Sequence, residues 1–272
     1  MIESKFIYHD QNRLHYITAG DGDESLLFFH GFGQDHTIYL PLIQALAKSY
    51  RIFIFDLYFH GQSVWAQAEK PLEKGVWKNT MAQFLGENNV KEFSLVGFSL
   101  GGKFALATVE AYPDRVKKLF LLAPDGIKTS FWYSMATYPL PLRKFFRGMI
   151  NSYNRFLTLA NILNKLKLVD KGLVRFADFQ MGTEEKRKRV YYSWVVFRHL
   201  TFNIRKIAGL INDHDIQTIV IVGRYDKVIV PENMKKFLSY LKSSDFHVLE
   251  SGHGGLIYQS LPFLQQAVKN LQ

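Results

Sequence analysis

Cysteine is absent from this chain of 272 residues. Its absence excludes disulfides, thiolate metal sites and a cysteine nucleophile, although it does not identify a compartment. No uncharged apolar run reaches the roughly 18 residues that a membrane-spanning helix needs. The first residues, Met1 to Lys5, have neither the basic segment nor the apolar core of a signal peptide. We therefore expect a protein without a transmembrane helix that works in the cytoplasm.

Acidic residues are scarce in one part of the chain only. Residues 124–205 hold 15 Lys and Arg against 5 Asp and Glu, whereas the rest of the chain holds 19 of each. The whole net charge of +10 therefore belongs to this segment, which also contains 15 aromatic residues. The basic run 186–189 lies beside Glu184 and Glu185 on a predicted helix, which is a weak signal for nucleic acid. We expect no nucleic-acid partner.

The sequence does contain eight short apolar runs with helical stretches between them. The middle runs are continuous rather than alternating, as expected for strands that are buried on both faces. This alternation of strand and helix predicts an α/β fold, a mostly parallel eight-stranded sheet with helices on both faces. The predicted strands lie near 5–8, 14–19, 25–29, 51–55, 92–96, 117–123, 218–222 and 246–250, and helices are predicted near 41–49, 76–88, 102–111 and 231–242.

The pentapeptide Gly97 to Gly101 predicts a serine on a tight turn. It follows the apolar run 92–96 and precedes a helical stretch, so Ser99 lies at the tip of a strand, turn and helix. Such a bend requires glycine at 97 and 101, where a side chain would collide with its neighbours. The start of the helix offers unpaired amides and the positive end of its dipole to negative charge beside Ser99. This pattern is typical of an activated serine nucleophile.

At this turn and at four further motifs the chain resembles the α/β-hydrolase superfamily. The further motifs are His30 to Gly33, Asp56 to Ser63, Gly223 to Pro231 and Ser251 to Gly254, and each follows an apolar run. The resemblance implies the α/β-hydrolase fold with a helical cap inserted after the sixth strand. It also implies an oxyanion hole made of the backbone N–H groups of Phe32 and Leu100. The second motif departs from the family pattern, because Phe59 stands where glycine is usual.

The same resemblance implies a catalytic triad of Ser99 as nucleophile, His253 as base and Asp226 as acid. A serine hydroxyl needs an imidazole to accept its proton, and the imidazole needs a carboxylate to fix its tautomer and stabilise its charge. Asp125 is an alternative acid, because it follows the sixth strand, where some family members carry theirs. This chemistry implies no metal and no organic cofactor.

The long interruption of the strand and helix alternation is the expected cap. We predict an α/β-hydrolase core at 1–123 and 206–272, and a helical cap, or lid, at 124–205. The basic and aromatic residues of the cap have three interpretations. They pack the lid and carry solvated charge, they attract an anionic membrane surface, or they bind a carboxylate or phosphate of a small substrate.

Together these features predict a serine hydrolase, above all a carboxylic ester hydrolase whose substrate has an apolar acyl or aromatic part. The expected partner is a small ester-like molecule, either lipid-like or anionic. Thioesterases, lactonases, carbon–carbon bond hydrolases or lyases, and perhydrolases use the same triad and stay open as alternatives. A non-catalytic ligand-binding protein on this fold is a further alternative, since a fold alone does not establish turnover.

Overall fold

The computed structural model describes residues 2–128, 131–166 and 178–269. Their strands are β1 (Glu3–His9), β2 (Asn12–Ala19), β3 (Glu24–Phe29), β4 (Tyr50–Phe55), β5 (Phe93–Phe98), β6 (Val116–Leu122), β7 (Gln217–Gly223) and β8 (Asp245–Leu249). They form one sheet in the order β1-β2-β4-β3-β5-β6-β7-β8. The strand β2 runs antiparallel to β1 and β4, and all other neighbours are parallel. The predicted α/β-hydrolase fold is confirmed.

Helices connect the strands and follow β6. They are α1 (Leu40–Leu46), α2 (Lys74–Glu87), α3 (Gly101–Ala111), α4 (Phe131–Thr137), α5 (Leu140–Gly148), α6 (Tyr153–Lys165), α7 (Glu184–Val196), α8 (Ile204–Asp213), α9 (Lys235–Leu238), α10 (Leu256–Gln259) and α11 (Leu261–Lys269). Short 3-10 helices lie at His36–Tyr39, Pro113–Arg115, Phe197–His199, Pro231–Met234 and His253–Gly255. The helix predicted at 231–242 is thus two short pieces. Within the described ranges, no helix has the length and apolar character needed to cross a bilayer.

Consecutive residues of β3 face opposite sides of the sheet, and helices cover both sides. Phe28 belongs to a buried cluster that includes Leu42 of α1. Phe29 points the other way, with its ring centroid 5.7 Å from that of Trp77 in α2 and 6.3 Å from that of Phe104 in α3. Because side chains alternate along a strand, burial of both faces requires the continuous apolar run seen in the sequence.

Contacts divide the chain into two compact units. Unit 1 comprises Met1–Ala66, Glu73–Lys128 and Leu200–Gln272, and it contains the whole sheet. Unit 2 comprises Gln67–Leu72 and Thr129–His199, and within it α4 and α5 pack against each other and against α7. The residue boundaries predicted for a core domain and a cap domain stay a prediction.

Candidate active site

Ser99 lies at the tip of a sharp turn between β5 and α3. Its φ is +49°, in the left-handed region that residues other than glycine rarely adopt. Its amide donates to the carbonyl of Leu122 at 2.9 Å, and its carbonyl accepts from the amides of Gly102 at 2.9 Å and Asp125 at 2.8 Å. Three hydrogen bonds therefore hold the strained backbone in place, and the side chain of Ser99 stays partly exposed.

The glycines around Ser99 are required by close packing. A Cβ added at Gly97 would lie 2.9 Å from the Cβ of Ala105. At Gly101 it would overlap the carbonyl group of Phe29, the last residue of β3. A Cβ added at Gly102 would likewise lie within 3.0 Å of Pro124 and Asp125 in the loop that follows β6. Since real Cβ atoms essentially never approach within 3.0 Å of another heavy atom, only glycine fits these positions without a backbone shift.

Ser99, His253 and Asp226 form a continuous hydrogen-bonded relay. Nε2 of His253 lies 2.9 Å from Oγ of Ser99, and its Nδ1 lies 2.6 Å from Oδ2 of Asp226. A carboxylate can only accept, so the hydrogen-bond network assigns the ring proton to Nδ1 and leaves Nε2 free to accept from the serine hydroxyl. This is the tautomer in which an imidazole can take a proton from serine.

The carboxylate of Asp226 is buried and fully committed. Its Oδ1 accepts from the backbone amides of Val228 at 2.7 Å and Ile229 at 2.9 Å, which leaves Oδ2 for the imidazole. The loop that carries it is tied directly to the loop that carries the histidine, because the amide of Tyr225 donates to the carbonyl of Ser251 at 3.0 Å. The acid and the base are therefore positioned by one shared backbone contact.

Asp125, the alternative acid, lies apart from this relay. Its Oδ1 accepts from the backbone amide of Gly126 at 2.7 Å, and its Oδ2 lies 3.5 Å from Nζ of the buried Lys103. The structure therefore brings His253 together with Asp226 and not with Asp125. The backbone of Asp125 still supports the turn through its hydrogen bond to the carbonyl of Ser99.

The backbone amides of Phe32 and Leu100 are available to a ligand. Neither donates a hydrogen bond to any residue in the described part of the chain. The amides on either side of Phe32 are occupied, since that of Gly31 donates to Oε1 of Gln34 and that of Gly33 donates to Nε2 of His60, both at 3.0 Å. The loop is thus held at both flanks while its central amide stays open, as an oxyanion hole requires.

Two buried histidines hydrogen-bond within their own turns and also clamp this loop to the turn after β4; the contacts between the two loops were not predicted from sequence. Nε2 of His30 accepts from the amide of Leu57 at 3.0 Å, and Nδ1 of His30 donates to the carbonyl of Gly31 at 2.7 Å. In the opposite direction, His60 accepts from Gly33 and donates to the carbonyl of Tyr58 at 3.0 Å. Burial lowers the pKa of His30 below its usual value, which keeps its imidazole neutral.

The turn after β4 is built around the buried carboxylate of Asp56. Its Oδ1 accepts from the amide and Nδ1 of His36, at 2.7 and 3.0 Å, and its Oδ2 accepts from Nδ1 of His15 and the amide of Gln62, at 2.7 and 2.9 Å. Burial alone would raise the pKa of Asp56, but these donors lower it well below its usual value. His15, His36 and Asp56 also have the spacing of metal ligands. Because donors already saturate the carboxylate, we assign this cluster to the support of the turn.

The departure from the family pattern at Phe59 places a bulky residue in a strained conformation. Its φ is +69°, and the φ of nearby Gly61 is +50°. A Cβ at Gly61 would overlap the carboxylate of Asp56, so glycine is required there by space as well as by conformation. The turn therefore keeps the left-handed backbone at position 59 without glycine.

A second relay of the same residue types lies on the antiparallel edge of the sheet. Oγ of Ser4 lies 2.8 Å from Nε2 of His15, whose Nδ1 contacts Asp56. Ser4 belongs to the extended strand β1, which continues into β2 rather than into a helix. It therefore has the distances of the first relay but neither a strained turn nor a helix N-terminus.

The chain has a family match and sequence relatives. A model of the alpha/beta hydrolase fold matches residues 24–259. A dihydrolipoyllysine-residue acetyltransferase component of an acetoin cleaving system from Cupriavidus necator is 34% identical over 117 residues, 43% of this chain and 31% of that protein. A pimeloyl-(acyl-carrier protein) methyl ester esterase from Nitrosomonas europaea is 27% identical over 151 residues, 54% of this chain and 57% of that protein. The matches span about a third and somewhat more than half of these two relatives.

Other similarities cover most of the chain. A 2-hydroxy-6-oxononadienedioate/2-hydroxy-6-oxononatrienedioate hydrolase from Escherichia coli is 23% identical over 258 residues, 89% of this chain and 84% of that protein. The structure of a bacterial membrane phospholipase A has a TM-score of 0.68 and 18% identity, with 99% of this chain and 87% of that one covered. Naproxen esterase from Bacillus subtilis has a TM-score of 0.65 and 16% identity, with 100% and 92% covered. Since the family model matches most of its length, the chain belongs to the α/β-hydrolase fold family.

Proposed function

We propose that this protein is a serine hydrolase that cleaves carboxylic esters. The observation that carries the proposal is the relay from Ser99 through His253 to Asp226, next to a turn whose following amide, that of Leu100, is open. The class of bond is supported by two similar proteins, one named a methyl ester esterase and the other naproxen esterase.

In the first half of the proposed reaction, Oγ of Ser99 attacks the ester carbonyl while Nε2 of His253 takes its proton. Asp226 stabilises the imidazolium that forms. Negative charge develops on the carbonyl oxygen, where the amides of Phe32 and Leu100 are proposed to donate, each worth about 3 kcal/mol of the barrier. His253 then gives its proton to the leaving alkoxide, and an alcohol departs from the acyl-enzyme.

In the second half, water replaces the alcohol. Nε2 of His253 takes a proton from the water as it attacks the acyl carbonyl, and the same two amides hold the oxyanion again. The intermediate collapses to release a carboxylic acid, and His253 returns the proton to Oγ of Ser99. Each proton taken up in one half is returned in that half, so the scheme uses only groups of the chain and one water.

We propose a substrate with an apolar acyl or aromatic part, lipid-like or anionic. The aromatic and basic composition of 124–205 supports both properties, because aromatic side chains bind apolar groups and cations attract anionic ones. One similar structure is named a membrane phospholipase A, which fits the lipid-like alternative.

Carbon–carbon bond hydrolysis is the second candidate reaction. It is favoured by the dienedioate and trienedioate hydrolase of Escherichia coli, because that similarity extends over 89% of this chain. Thioesterase, lactonase and perhydrolase activities share the proposed triad and differ in the acyl donor or acceptor. A lyase that uses the triad only for proton abstraction would never acylate Ser99, and a ligand-binding protein would turn nothing over.

The first test is the intact mass of the protein after incubation with a fluorophosphonate. We expect one adduct on the wild type, none on Ser99→Ala, and an unchanged adduct on the matched variant Ser4→Ala. If the wild type forms the adduct, its hydrolysis rates on a panel of ester, thioester and carbon–carbon bond substrates then distinguish the reaction classes. Failure of folded wild type to form an adduct would contradict the proposal.

A further inference from the structure

Large apolar side chains are exposed on unit 2 far more often than on unit 1. Sixteen such side chains are exposed among the described residues, and eight of them belong to unit 2, which is less than a third of the chain. These eight are Phe131, Tyr138, Leu140, Leu142, Phe145, Ile162, Leu166 and Phe179. Scattered apolar residues are normal on a protein surface, but a concentration of them marks an interaction site.

The concentration is highest on and beside α5. Leu140 is 60% exposed and Phe145 is 47% exposed, and the exposed cation Lys144 lies between them in sequence. Phe146 is buried on the other side of the helix, with its ring centroid 5.2 Å from that of Tyr191 in α7. Phe146 therefore packs inward, whereas its sequence neighbours Phe145 and Arg147 are exposed.

We define the α5 surface as Leu140, Leu142, Lys144, Phe145 and Arg147, all of which are exposed. At 100° per residue, Leu140, Lys144 and Arg147 lie within about 60° of one another, Phe145 lies about 100° beyond Lys144, and Leu142 lies on the opposite side of the helix from Leu140. Arg147 also contacts Glu69 at 3.1 Å, a contact exposed enough to contribute little to stability. Leu140, Phe145 and the two cations therefore occupy about half of the helix circumference, and Leu142 lies outside that half.

The charge of unit 2 determines which partner this surface attracts. Unit 2 carries 14 Lys and Arg against 5 Asp and Glu, whereas unit 1 carries 20 against 19. A net charge of this size attracts anionic surfaces over about 8 Å at physiological salt. It also repels a second copy of the same unit, which argues against self-association through this face.

We propose that the α5 surface docks the protein on an anionic lipid bilayer. Leu140 and Phe145 enter the boundary between headgroups and acyl chains, and Lys144 and Arg147 contact the anionic headgroups. Nucleic acid would satisfy the cations but would leave the aliphatic Leu140 and Leu142 in water. The biological role of this surface rests on the proposed function, since an esterase encounters a lipid-like ester at a bilayer.

The test is flotation of the full chain with vesicles of phosphatidylcholine, with and without phosphatidylglycerol. Both the wild type and Ser99→Ala are measured, so that turnover of lipid cannot affect the result. We expect binding only to the anionic vesicles, with weaker binding as salt rises. Leu140→Ser with Phe145→Ser lowers the partition constant at least about tenfold. Lys144→Gln with Arg147→Gln lowers it about fivefold for each charge removed.

The matched control is Tyr8→Ser with Lys78→Gln, which removes one exposed ring and one exposed cation from unit 1. It should bind vesicles as the wild type does. Equal flotation with neutral vesicles, or wild-type flotation of both α5 variants, would overturn the proposal. Two other results would also overturn it, if the wild type does not bind vesicles: a dimer in sedimentation velocity, or a DNA complex in a gel shift, that is lost in the α5 variants.

Hydrolysis of a soluble short-chain ester and fluorophosphonate labelling are measured on the same variants without vesicles. Unchanged values there show that the variants fold and that any loss of flotation belongs to the surface. If labelling fails on the wild type while flotation holds, the proposed function falls and the docking surface stands. If labelling succeeds and flotation fails, the docking surface falls alone.

Discussion

Replacing Gly101 with alanine should disable the site by moving two backbone segments at once. The new Cβ would lie 2.5 Å from the carbonyl carbon of Phe29 and 2.9 Å from the carbonyl oxygen of His30. Gly101 follows Leu100, which carries one open amide, and His30 begins the loop that carries the other, at Phe32. The clash therefore separates the two groups that we propose to form the oxyanion hole.

The size of the effect follows from the overlap. Ordinary contact begins at 3.4 Å, so β3 and the turn at Ser99 must move apart by about 1 Å. A displacement of about 1 Å in a catalytic arrangement lowers rates about 100-fold, and loss of one oxyanion donor costs about 100- to 1,000-fold in kcat. Overpacking in a tight core also destabilises by about 1 to 3 kcal/mol. We expect kcat/KM to fall at least 100-fold and the unfolding free energy to fall by about 2 kcal/mol.

Gly86→Ala is the matched control, because an added Cβ in α2 meets nothing within 4 Å. Alanine there should raise the unfolding free energy by about 0.5 to 1 kcal/mol and leave activity unchanged. The assays are urea unfolding and initial rates on a soluble ester. If Gly101→Ala keeps kcat/KM within tenfold of the wild type and is no less stable, the role assigned to the close approach of β3 and the turn at Ser99 is refuted.

Three further predictions concern the relay and the histidine clamp. In rate assays, Asp226→Asn should lower kcat about 10,000-fold, because the amide favours the wrong imidazole tautomer. Asp125→Asn should keep kcat within tenfold of the wild type, and the reverse order would identify Asp125 as the acid. His60→Ala should lower kcat more than it raises KM, because the amide of Gly33, next to the open amide of Phe32, loses its acceptor. A kcat equal to that of the wild type would contradict the positioning role of His60. Because burial lowers the pKa of His30 below 6.5, only the unfolded state gains a proton there as pH falls below 6.5, and stability drops by up to about 1.4 kcal/mol per pH unit. Urea unfolding from pH 7.5 to 5.5 should show a shallower loss in His30→Asn, and equal slopes would exclude this contribution.

The sheet could be predicted from sequence because its signal is local. Each strand that both layers of helices cover is a short run without polar alternation, and each run ends at a turn residue. The order of the strands is not local, yet the βα alternation restricts it to a few topologies. The sharp turn at Ser99 was predictable for a similar reason, since a strand, a glycine-flanked serine and a helix follow one another without a gap.

Other features depend on contacts between distant residues, and no local pattern predicts them. The segment 67–72 belongs to unit 2, where the amide of Leu72 donates to the carbonyl of Val196 at 2.8 Å. The reciprocal hydrogen bonds of His30 and His60 also join separate loops. The sequence showed only that each histidine directly precedes a glycine in a predicted turn. The sequence favoured Asp226 without excluding Asp125, because each follows a parallel strand and only coordinates give the distance to the imidazole.

Comparison of the two serine relays distinguishes the contribution of the side-chain hydrogen bonds to serine reactivity from that of the backbone. Ser4 and Ser99 each lie within 2.9 Å of an imidazole whose other nitrogen contacts a buried carboxylate. Only Ser99 has a left-handed backbone, a helix that starts two residues later and an open amide next to it. A relay raises the basicity available to a hydroxyl, but the barrier to acyl transfer falls chiefly where preorganised donors meet the developing oxyanion. We therefore expect fluorophosphonate to distinguish the two serines, and labelling of Ser4 at a rate like that of Ser99 would show that the relay alone is sufficient.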